Sequence, residues 1–484
     1  MKRNDRRTAA VLGGGLTGLT AAYYLLREAS RQGVPLDVTL VEASGRLGGL
    51  INTLRRDGFH IERGPDSFLA RKTPMIRLAE ELGIADELTG TNPAARKTYI
   101  VRDGVLHLMP AGLYLGVPTS EDAFMETGLL SEEGKRRALE EKHFRPSDAG
   151  AGDESAGEFL ERHFGPEMVD RIFEPLLAGI YAGDLYRLSL EATFPQFREI
   201  ERRHGSLMAG IREARLAEPA QMQSGGEERS IGSVFLNFRR GLSTVTETLE
   251  ARLKESGCVI RLGEKALSLS AGADEGRPVY RIRLENGEEL AADAVAVALP
   301  AAEIARLLAP LADVSAMRNI PYLSVANVVF GYDAEGFDHP LDGTGFLVPR
   351  SEGRLITAST WTSSKWPHTA PPDKHLIRCY VGRAGEEENV ELSDEEMIAG
   401  VYKDLKELMG LAAKPKFVEI TRLRRSMIQY PVGHRRAMDA FLAELKRRLP
   451  GVVPAGQPFG GVGLPDCVAE GKRAAEEIVR WLAE

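Results

Sequence analysis

A glycine-rich turn near the start of the chain holds the residues whose types and spacing could support chemistry. Gly13, Gly15 and Gly18 follow an apolar run at residues 8–12 and open an amphipathic segment at 17–32. Glycines at this spacing permit a tight turn, a close approach of the backbone to a pyrophosphate and close helix packing. Because free amides and the dipole at a helix start favour phosphate charge, the spacing predicts a dinucleotide site.

An acidic residue stands where the ribose of such a dinucleotide is expected. Glu42 follows Gly18 by 24 residues, near the usual spacing of about 20. It ends an apolar run at residues 38–41 that predicts the second strand, so its carboxylate can accept hydrogen bonds from a ribose. Strand, turn, helix, strand and acid occur in order, which favours a nucleotide site over an ordinary glycine turn.

The residues after Glu42 favour FAD over NAD. Arg46 is flanked by Gly45 and by Gly48 and Gly49, and the charged segment 62–67 follows. Such an arginine suits a chain that turns sharply while it holds the second phosphate or ribose, and a charged surface loop is the alternative. FAD is held along its length with its flavin ring left near the substrate, which fits a site with several segments.

The composition limits the class of protein. At 484 residues the chain exceeds what one core usually supports, so at least two domains are expected. Apolar residues at 43% and charged residues at 27% are ordinary for a soluble globular protein, and a net charge of -8 gives no support for nucleic-acid binding. Cys258, Cys379 and Cys467 fit no metal spacing, which predicts no metal site and favours buried thiols in a reducing compartment.

The N-terminus is basic but does not predict a signal peptide. The apolar run after Arg7 contains the glycine turn, so cleavage there would destroy the cofactor site. No run of about 18 uncharged apolar residues occurs elsewhere, so no membrane-spanning segment is expected. We therefore expect a cytoplasmic protein with at most a peripheral contact with a membrane.

The order of element patterns predicts a nucleotide domain in three pieces. Strand patterns return at residues 259–262, 279–284 and 294–299 after a stretch of helical patterns, as when a domain resumes after an insertion. Residues 146–153 and 218–226 have the composition of exposed connectors.

A second glycine turn precedes the C-terminal helix predicted at about 467–482. Gly461, Val462 and Gly463 occupy this turn. In an FAD protein the amides that open such a helix would face the flavin N1 and C2 carbonyl edge, where reduction deposits negative charge. An ordinary capped helix is the alternative.

With both turns in view, the chain resembles the porphyrinogen oxidases of haem synthesis, within the flavin monoamine oxidase superfamily. The likeness is greatest to the bacterial coproporphyrinogen III oxidases of Gram-positive type. The motifs GGGLTGL and LVEASGRLGG belong to many flavoproteins. The narrower motifs are IERGPDSFLARK, LHLMPAGLYLGVPT, EPLLAGIYAGD, LSLEATFPQF, TWTSSKWPH, SMIQYPVGH and GVGLPDC.

The resemblance implies an α/β fold in three parts. A discontinuous Rossmann-like FAD-binding domain would comprise residues 1–92, 233–303 and 419–484. A helical insertion domain, which binds membranes in some members, would comprise residues 93–232, and a mixed α+β substrate-binding domain residues 304–418.

The resemblance also implies which residues hold FAD. Backbone near Ala266 would meet the adenine side, and Gly461, Val462 and Gly463 the flavin. Leu423 stands where relatives commonly have a tryptophan near the flavin, and Ile428 replaces a proline, which leaves the local flavin packing open. The other implied FAD contacts are Gly13, Gly14, Gly15, Leu16, Thr17, Gly18, Glu42, Ala43, Arg46, Gly48, Gly49, Gly64, Pro65, Asp66 and Ser67.

The implied reaction explains the lack of a recognisable nucleophilic triad, metal cluster or acid pair. The bridging carbons of a porphyrinogen give up hydride, which flavin N5 accepts. The protein therefore need only position the macrocycle against the flavin ring. Three two-electron rounds, with oxygen as the reoxidant, would convert coproporphyrinogen III to coproporphyrin III and release hydrogen peroxide. No catalytic side chain is therefore predicted.

Basic side chains are expected to bind the substrate, because coproporphyrinogen carries four propionates and protoporphyrinogen two. Lys72 lies in a narrow motif and is the first candidate, followed by Arg71, Arg96 and Lys97. For each of these, a solvated surface charge is the alternative.

Other functions stay open at this stage. Protoporphyrinogen IX oxidase is the first alternative. A non-catalytic carrier or regulator on the same fold is the second, as in the GDP-dissociation inhibitors, and the intact glycine turn and Glu42 argue against it. An amine oxidase would need an aromatic cage that the sequence does not single out. The expected partners are a porphyrinogen and molecular oxygen; a handover to a ferrochelatase is left open.

Overall fold

The computed structural model describes residues 6–145, 152–217, 233–274 and 277–484. The predicted connector 218–226 and most of the predicted connector 146–153 lie outside these residues. In the described ranges the strands are β1 Arg7–Leu12, β2 Leu36–Glu42, β3 Thr53–Arg56, β4 Phe59–Glu62, β5 Phe68–Leu69, β6 Leu88–Gly90, β7 Lys97–Arg102, β8 Val105–Leu108, β9 Leu113–Tyr114, β10 Val117–Pro118, β11 Phe235–Phe238, β12 Val259–Leu262, β13 Ala266–Asp274, β14 Arg277–Leu284, β15 Glu289–Ala292, β16 Ala294–Val297, β17 Tyr322–Asp333, β18 Gly343–Leu347, β19 Ile356–Thr360, β20 Lys374–Val381, β21 Phe417–Ile428 and β22 Val452–Pro454.

The helices lie mainly in the first half of the chain and at its C-terminal end. A π-helical segment, Val169–Ala178, lies among them. In the described ranges the α-helices are α1 Leu16–Gln32, α2 Pro74–Leu82, α3 Glu121–Met125, α4 Glu132–Leu139, α5 Ala156–Phe164, α6 Pro166–Met168, α7 Gly179–Tyr181, α8 Leu190–Thr193, α9 Pro195–His204, α10 Leu207–Ala217, α11 Ser243–Glu255, α12 Ala301–Leu308, α13 Ser315–Arg318, α14 Thr362–Lys365, α15 Asp394–Met409, α16 His434–Arg448, α17 Gln457–Gly460 and α18 Leu464–Ala483.

A five-stranded parallel sheet carries the glycine turn. Its strand order is β12-β2-β1-β16-β22, with Ala9 of β1 opposite Val38 on one side and Ala294 on the other. Residues 294–297 are fully buried, as expected for a parallel sheet covered on both faces. The strands come from the N-terminal, middle and C-terminal parts of the chain, so the predicted α/β class with a discontinuous Rossmann-like sheet is confirmed.

Helices α1 and α18 pack closely beside this sheet. A Cβ on Gly471 of α18 would lie 2.5 Å from the Thr17 carbonyl oxygen and 2.9 Å from the Thr20 Cβ, so only glycine permits this approach. Helix α18 begins at Leu464, before the predicted start near residue 467, because Pro465 suits the first turn of a helix. The two helices that follow the two glycine turns are therefore neighbours.

A seven-stranded sheet forms the second layer of the molecule. Its order is β21-β17-β20-β19-β18-β7-β8. Strands β7 and β8 come from the region where the sequence pattern favours helices; β7 pairs with β18, more than 200 residues away, which local patterns do not reveal. Strand β21 runs from Phe417 to Ile428 and so crosses residue 418, the predicted end of the substrate-binding domain. The division into three domains at the stated boundaries stays a prediction.

The described residues contain no helix that is long and apolar enough to cross a membrane. Cys258, Cys379 and Cys467 are free and buried, so the prediction of buried thiols is confirmed.

Candidate functional site

The first glycine turn is shaped by close backbone contacts. Gly13 has φ 103°, and a Cβ there would lie 2.2 Å from the Ala298 carbonyl oxygen. A Cβ on Gly18 would lie 1.8 Å from the Gly13 carbonyl oxygen, and one on Gly14 would lie 2.6 Å from a Leu47 methyl carbon. No side chain fits at Gly13 and Gly18, where the overlap is with backbone oxygens, so these two positions require glycine.

Gly15 differs from the other glycines of the turn because the space beside it is open. The nearest atom to a Cβ there would be the Gly49 Cα, at 3.9 Å. Gly15 caps α1 without any side-chain hydrogen bond, and the first turn of α1 holds no acidic residue. The first amides of α1 therefore face an open space, which suits a diphosphate. A Cβ at position 15 would partly fill this space.

The carboxylate of Glu42 shapes the loop beside this turn. It accepts the backbone N–H groups of Gly14 and Ser44, each at 2.7 Å. The Glu42 carbonyl oxygen accepts the Glu264 amide at 2.9 Å, which places the segment leading to Ala266 beside Glu42. The Ala266 carbonyl oxygen accepts Arg306 Nη2 at 2.6 Å. The two segments predicted to meet the ribose and the adenine are thus adjacent.

The side chain of Arg46 stabilises its own loop through hydrogen bonds to the loop backbone. Its Nη1 donates to the Leu47 and Ile51 carbonyl oxygens at 3.1 and 3.0 Å, and its Nη2 donates to that of Gly49 at 2.5 Å. Gly48 donates its amide to the Gly14 carbonyl oxygen at 2.8 Å and so joins this loop to the first turn. The exposed side of Arg46 and neighbouring Ala43 are accessible from solvent. Direct contact of either residue with FAD stays a prediction.

The loop of residues 64–67 lies against the same region. A Cβ on Gly64 would lie 1.8 Å from the Leu50 carbonyl oxygen, so the loop backbone is in direct contact with the Arg46 loop. Pro65 and Ser67 are half-buried, and the Ser67 hydroxyl donates to an Asp66 carboxylate oxygen at 2.7 Å. Burial raises the pKa of Asp66, but the charges of Lys365 and Arg378 outweigh it and hold that pKa below its ordinary value.

A buried carboxyl group, Glu62, precedes this loop. Its two oxygens accept the Leu242 amide at 2.7 Å and the Thr53 hydroxyl at 2.8 Å. Burial raises the pKa of Glu62 from 4.5 to about 7, although these hydrogen bonds and the charge of Arg378 oppose the shift. Glu62 therefore holds a proton in the folded protein over a range in which it is ionised in the unfolded chain.

We expect Glu62→Gln to become more stable relative to wild type as the pH rises from about 5 to about 8. Because the pKa is higher in the folded state, ionisation destabilises wild type between pH 4.5 and about 7, by at most about 3 kcal/mol. Glutamine does not ionise; its oxygen can accept the Leu242 amide, and its NH₂ can donate to Thr53. Thermal unfolding across this pH range measures the difference, and a difference that stays constant would contradict the raised pKa.

The second glycine turn is coupled to the motif that contains Lys72. Gly463 caps α18 without a side-chain hydrogen bond, and a Cβ on Gly463 or Gly461 would lie 2.8 or 3.1 Å from the Asp466 carboxylate. Lys72 Nζ donates to both oxygens of Asp466, at 2.8 and 2.6 Å. This pair neutralises an acid in the first turn of α18, where the helix amides would otherwise face a nearby negative charge.

The four basic residues predicted to bind substrate lie in two places. Lys72 is paired with Asp466, and the exposed Arg71 is next to it in the chain. Arg96 donates to the Pro93 carbonyl oxygen at 2.7 Å, and Lys97 forms an exposed ion pair with Asp342 at 2.5 Å. Within the described ranges no hydrogen bond or ion pair joins the two places. Lys72 contacts Asp466, which lies in the first turn of α18, just after the second glycine turn.

The two departures from the family pattern lie on β21. Leu423 is half-buried and opposite Val325. Ile428 is fully buried opposite Tyr322 and packs in the hydrophobic core. Trp361 and Trp366 are also buried, at 1% and 0% exposure.

Sequence reasoning missed three residues at this site. Asp466 lies inside the quoted motif GVGLPDC, but its pairing with Lys72 joins two distant segments and is not indicated by the motif itself. Asn327 and Arg378 lie in strands β17 and β20 and contact the loop of residues 63–64. A polar residue inside an apolar strand pattern was the signal that could have found them.

The fold and this site define a class of protein. The start of α1 lies beside Glu42 and the Arg46 loop, which contacts the 64–67 loop, and the start of α18 likewise has no side-chain cap. The open space at Gly15 fits the diphosphate of a dinucleotide, and the second turn fits an electron-rich ring edge. This arrangement is that of a dinucleotide-dependent oxidoreductase with its cofactor held along its length.

Comparisons with known proteins narrow the class. Residues 16–479 match the family described as flavin containing amine oxidoreductase. The chain is 40% identical to the coproporphyrinogen III oxidase of Bacillus subtilis (strain 168), covering 99% of both chains. It is 36% identical to that of Staphylococcus aureus (strain NCTC 8325 / PS 47), covering 98% of this chain and 100% of the other.

The chain is also similar to a solved structure. A crystal structure from Exiguobacterium sp. 255-15, of a protein provisionally named protoporphyrinogen oxidase, has 37% identity and a TM-score of 0.86, covering 98% of this chain and 99% of that one. The chain belongs to the flavin-containing amine oxidoreductase family, and within it to the coproporphyrinogen and protoporphyrinogen oxidases. It is an oxidoreductase whose cofactor is FAD, so the predictions of family, enzyme class and cofactor are confirmed.

Proposed function

We propose that this enzyme oxidises coproporphyrinogen III to coproporphyrin III in haem synthesis, with molecular oxygen as the final acceptor. The observation that carries the proposal is the likeness, over nearly the whole chain, to two relatives named coproporphyrinogen III oxidase. The substrate would lose six hydrogens in three rounds, and three molecules of oxygen would become hydrogen peroxide. Bound FAD would supply the hydride acceptor in each round.

The protein's own contribution is to bind FAD and the substrate and to orient them. We propose that Gly13 to Gly18 hold the diphosphate and that Glu42 and the backbone near Ala266 hold the adenosine. The Arg46 loop and the 64–67 loop would border the cofactor between its two ends, and the turn of residues 461–463 would place amides at the flavin edge. No side chain is assigned to proton transfer.

We propose that Lys72 binds a propionate of the substrate. An ammonium group has three N–H donors, and Asp466 takes two directions, so a third remains for a substrate carboxylate. Arg71 would assist from the surface. Arg96 and Lys97 stay weaker candidates, because Lys97 is paired with Asp342 away from the two glycine turns.

A paired assay tests the proposed substrate. The FAD-loaded protein is incubated under air with coproporphyrinogen III and, separately, with protoporphyrinogen IX, and porphyrin fluorescence is followed against an enzyme-free control. We expect faster formation of coproporphyrin III. Faster formation of protoporphyrin IX would favour the second candidate, protoporphyrinogen oxidase, which the name of the Exiguobacterium structure supports.

Location and partners are part of the same proposal. We infer a cytoplasmic enzyme with at most a peripheral membrane contact that passes its porphyrin to a ferrochelatase. A pull-down with a ferrochelatase from the same cell, with and without bound porphyrin, would test this handover.

A further inference from the structure

Three adjacent strands of the seven-stranded sheet hold the backbone that enters the 64–67 loop. Asn327 on β17 donates Nδ2 to the Arg63 carbonyl oxygen at 3.1 Å, and Arg378 on β20 donates Nη2 to that of Gly64 at 2.5 Å. Glu419 on β21 accepts Arg63 Nη2 at 2.6 Å. The seven-stranded sheet thus holds residues 63 and 64, at the entrance of the 64–67 loop.

Arg378 is the most buried charged member of this set. It is 5% exposed, and its Nε and Nη1 atoms have no hydrogen-bond partner among the described residues. It lines a small cavity together with Glu62, Asp66, Asn237 and Trp366. Trp366 Nε1 is likewise without a partner in the described part of the chain. The attraction between this buried cation and the charged carboxylate of Asp66 is stronger than it would be in water.

The charge of Arg378 acts on both carboxyl groups that flank the loop entrance. It opposes the burial that raises the pKa of Glu62, and with Lys365 it holds down the pKa of Asp66. Without this cation, the negative charge of Asp66 within the loop would be balanced by Lys365 as the remaining cation. Both the hydrogen bond to Gly64 and the charge therefore favour a single shape of the loop.

We propose that Arg378 is a positioning residue for the cofactor, because it fixes the Gly64 carbonyl from the seven-stranded sheet and balances the charge of Asp66. This rests on the proposed contact of Gly64 to Ser67 with FAD. Arg378 acts through the loop and touches neither FAD nor substrate in this role.

The test measures FAD affinity rather than activity. Apoprotein of wild type, Arg378→Gln and Arg378→Lys is titrated with FAD, and the dissociation constant and the visible circular dichroism of the bound flavin are recorded. We expect Arg378→Gln to bind FAD about tenfold or more weakly with an altered flavin spectrum, since a hydrogen bond from a charged donor and its charge are both lost. Arg378→Lys keeps the charge and should recover part of the affinity.

Arg383→Gln is the matched control. Arg383 is also 5% exposed and donates Nη1 to a main-chain oxygen, that of Val348 at 3.0 Å, which lies outside the cofactor loops. We expect it to lower the thermal stability of the apoprotein while FAD affinity stays unchanged. Asn327→Leu removes the hydrogen bond to the Arg63 carbonyl oxygen without removing a charge, and it should weaken FAD binding less than Arg378→Gln. If Arg378→Gln does not fold, Asn327→Leu is compared with wild type instead, and weaker FAD binding than wild type is expected.

Two outcomes would overturn the proposal. One is an Arg378→Gln protein with wild-type FAD affinity and spectrum. The other is an equal loss of FAD affinity in Arg383→Gln, which would mean that Arg378 matters only for general stability. Failure of the proposed function looks different, because it would appear as wild-type holoenzyme that binds FAD but oxidises no porphyrinogen.

Discussion

Replacing Gly15 with valine is expected to leave the fold intact and to weaken FAD binding by roughly a hundredfold or more. The Gly15 backbone has φ -70° and ψ 178°, which any residue can adopt, and no atom lies closer than 3.9 Å to a Cβ placed there. The side chain would instead occupy the space in front of the first amides of α1. Those amides would then lose their close approach to the cofactor phosphates.

The controls separate this effect from misfolding. Gly179→Val introduces the same side chain at another open position with φ -55°, and should change neither stability nor FAD affinity. Gly18→Val should instead disrupt the fold, because its Cβ would overlap the Gly13 carbonyl oxygen. FAD titration and thermal unfolding of the apoproteins provide both readouts. A Gly15→Val protein that binds FAD as tightly as wild type would show that the diphosphate lies elsewhere.

Replacing Lys72 with methionine is expected to raise the KM for coproporphyrinogen III by roughly ten- to a hundredfold, the effect of losing one hydrogen bond to a charged group. We expect a smaller change in kcat, because Lys72 would bind a propionate at the edge of the macrocycle, away from the reacting carbon. Steady-state kinetics of the FAD-loaded variant give both constants.

A double variant tests whether Lys72 acts on the substrate or only on Asp466. Losing Lys72 alone leaves the half-buried Asp466 carboxylate without its counter-charge beside the second glycine turn. Adding Asp466→Asn removes that charge. If Lys72 binds the propionate, KM stays raised in Lys72→Met/Asp466→Asn; a return to the wild-type KM would assign Lys72 a purely structural role. Lys374→Met, which removes the half-buried lysine paired with Asp333 and Asp373, is the control and should leave KM unchanged.

Much of the first half of the cofactor site was predictable because its physics is local. The spacing of Gly13, Gly15 and Gly18 lies within one turn, and Glu42 ends the next strand. The parallel sheet could be predicted from runs of buried apolar residues, even though its strands come from three parts of the chain. Such patterns depend on neighbours a few residues apart.

The rest depends on contacts between distant segments. Lys72 and Asp466 are 394 residues apart, and each lies in a motif that could be recognised separately, but nothing in either motif indicates their pairing. Arg378 is a charged residue in a largely buried strand, which marks it as unusual, but its contact with Gly64 follows only from the register of β20 against β17. Strand β7 likewise needs its distant partner β18. These features follow from topology, which the sequence pattern did not specify.

Anaerobic mixing tests the central claim most directly. FAD-loaded protein is mixed with coproporphyrinogen III without oxygen, the visible flavin absorption is followed, and air is then admitted. We expect the absorption to bleach on mixing and to return with air, while coproporphyrin III and hydrogen peroxide accumulate. Flavin absorption that stays unchanged with coproporphyrinogen III, in protein shown to contain FAD, would contradict the proposed reaction.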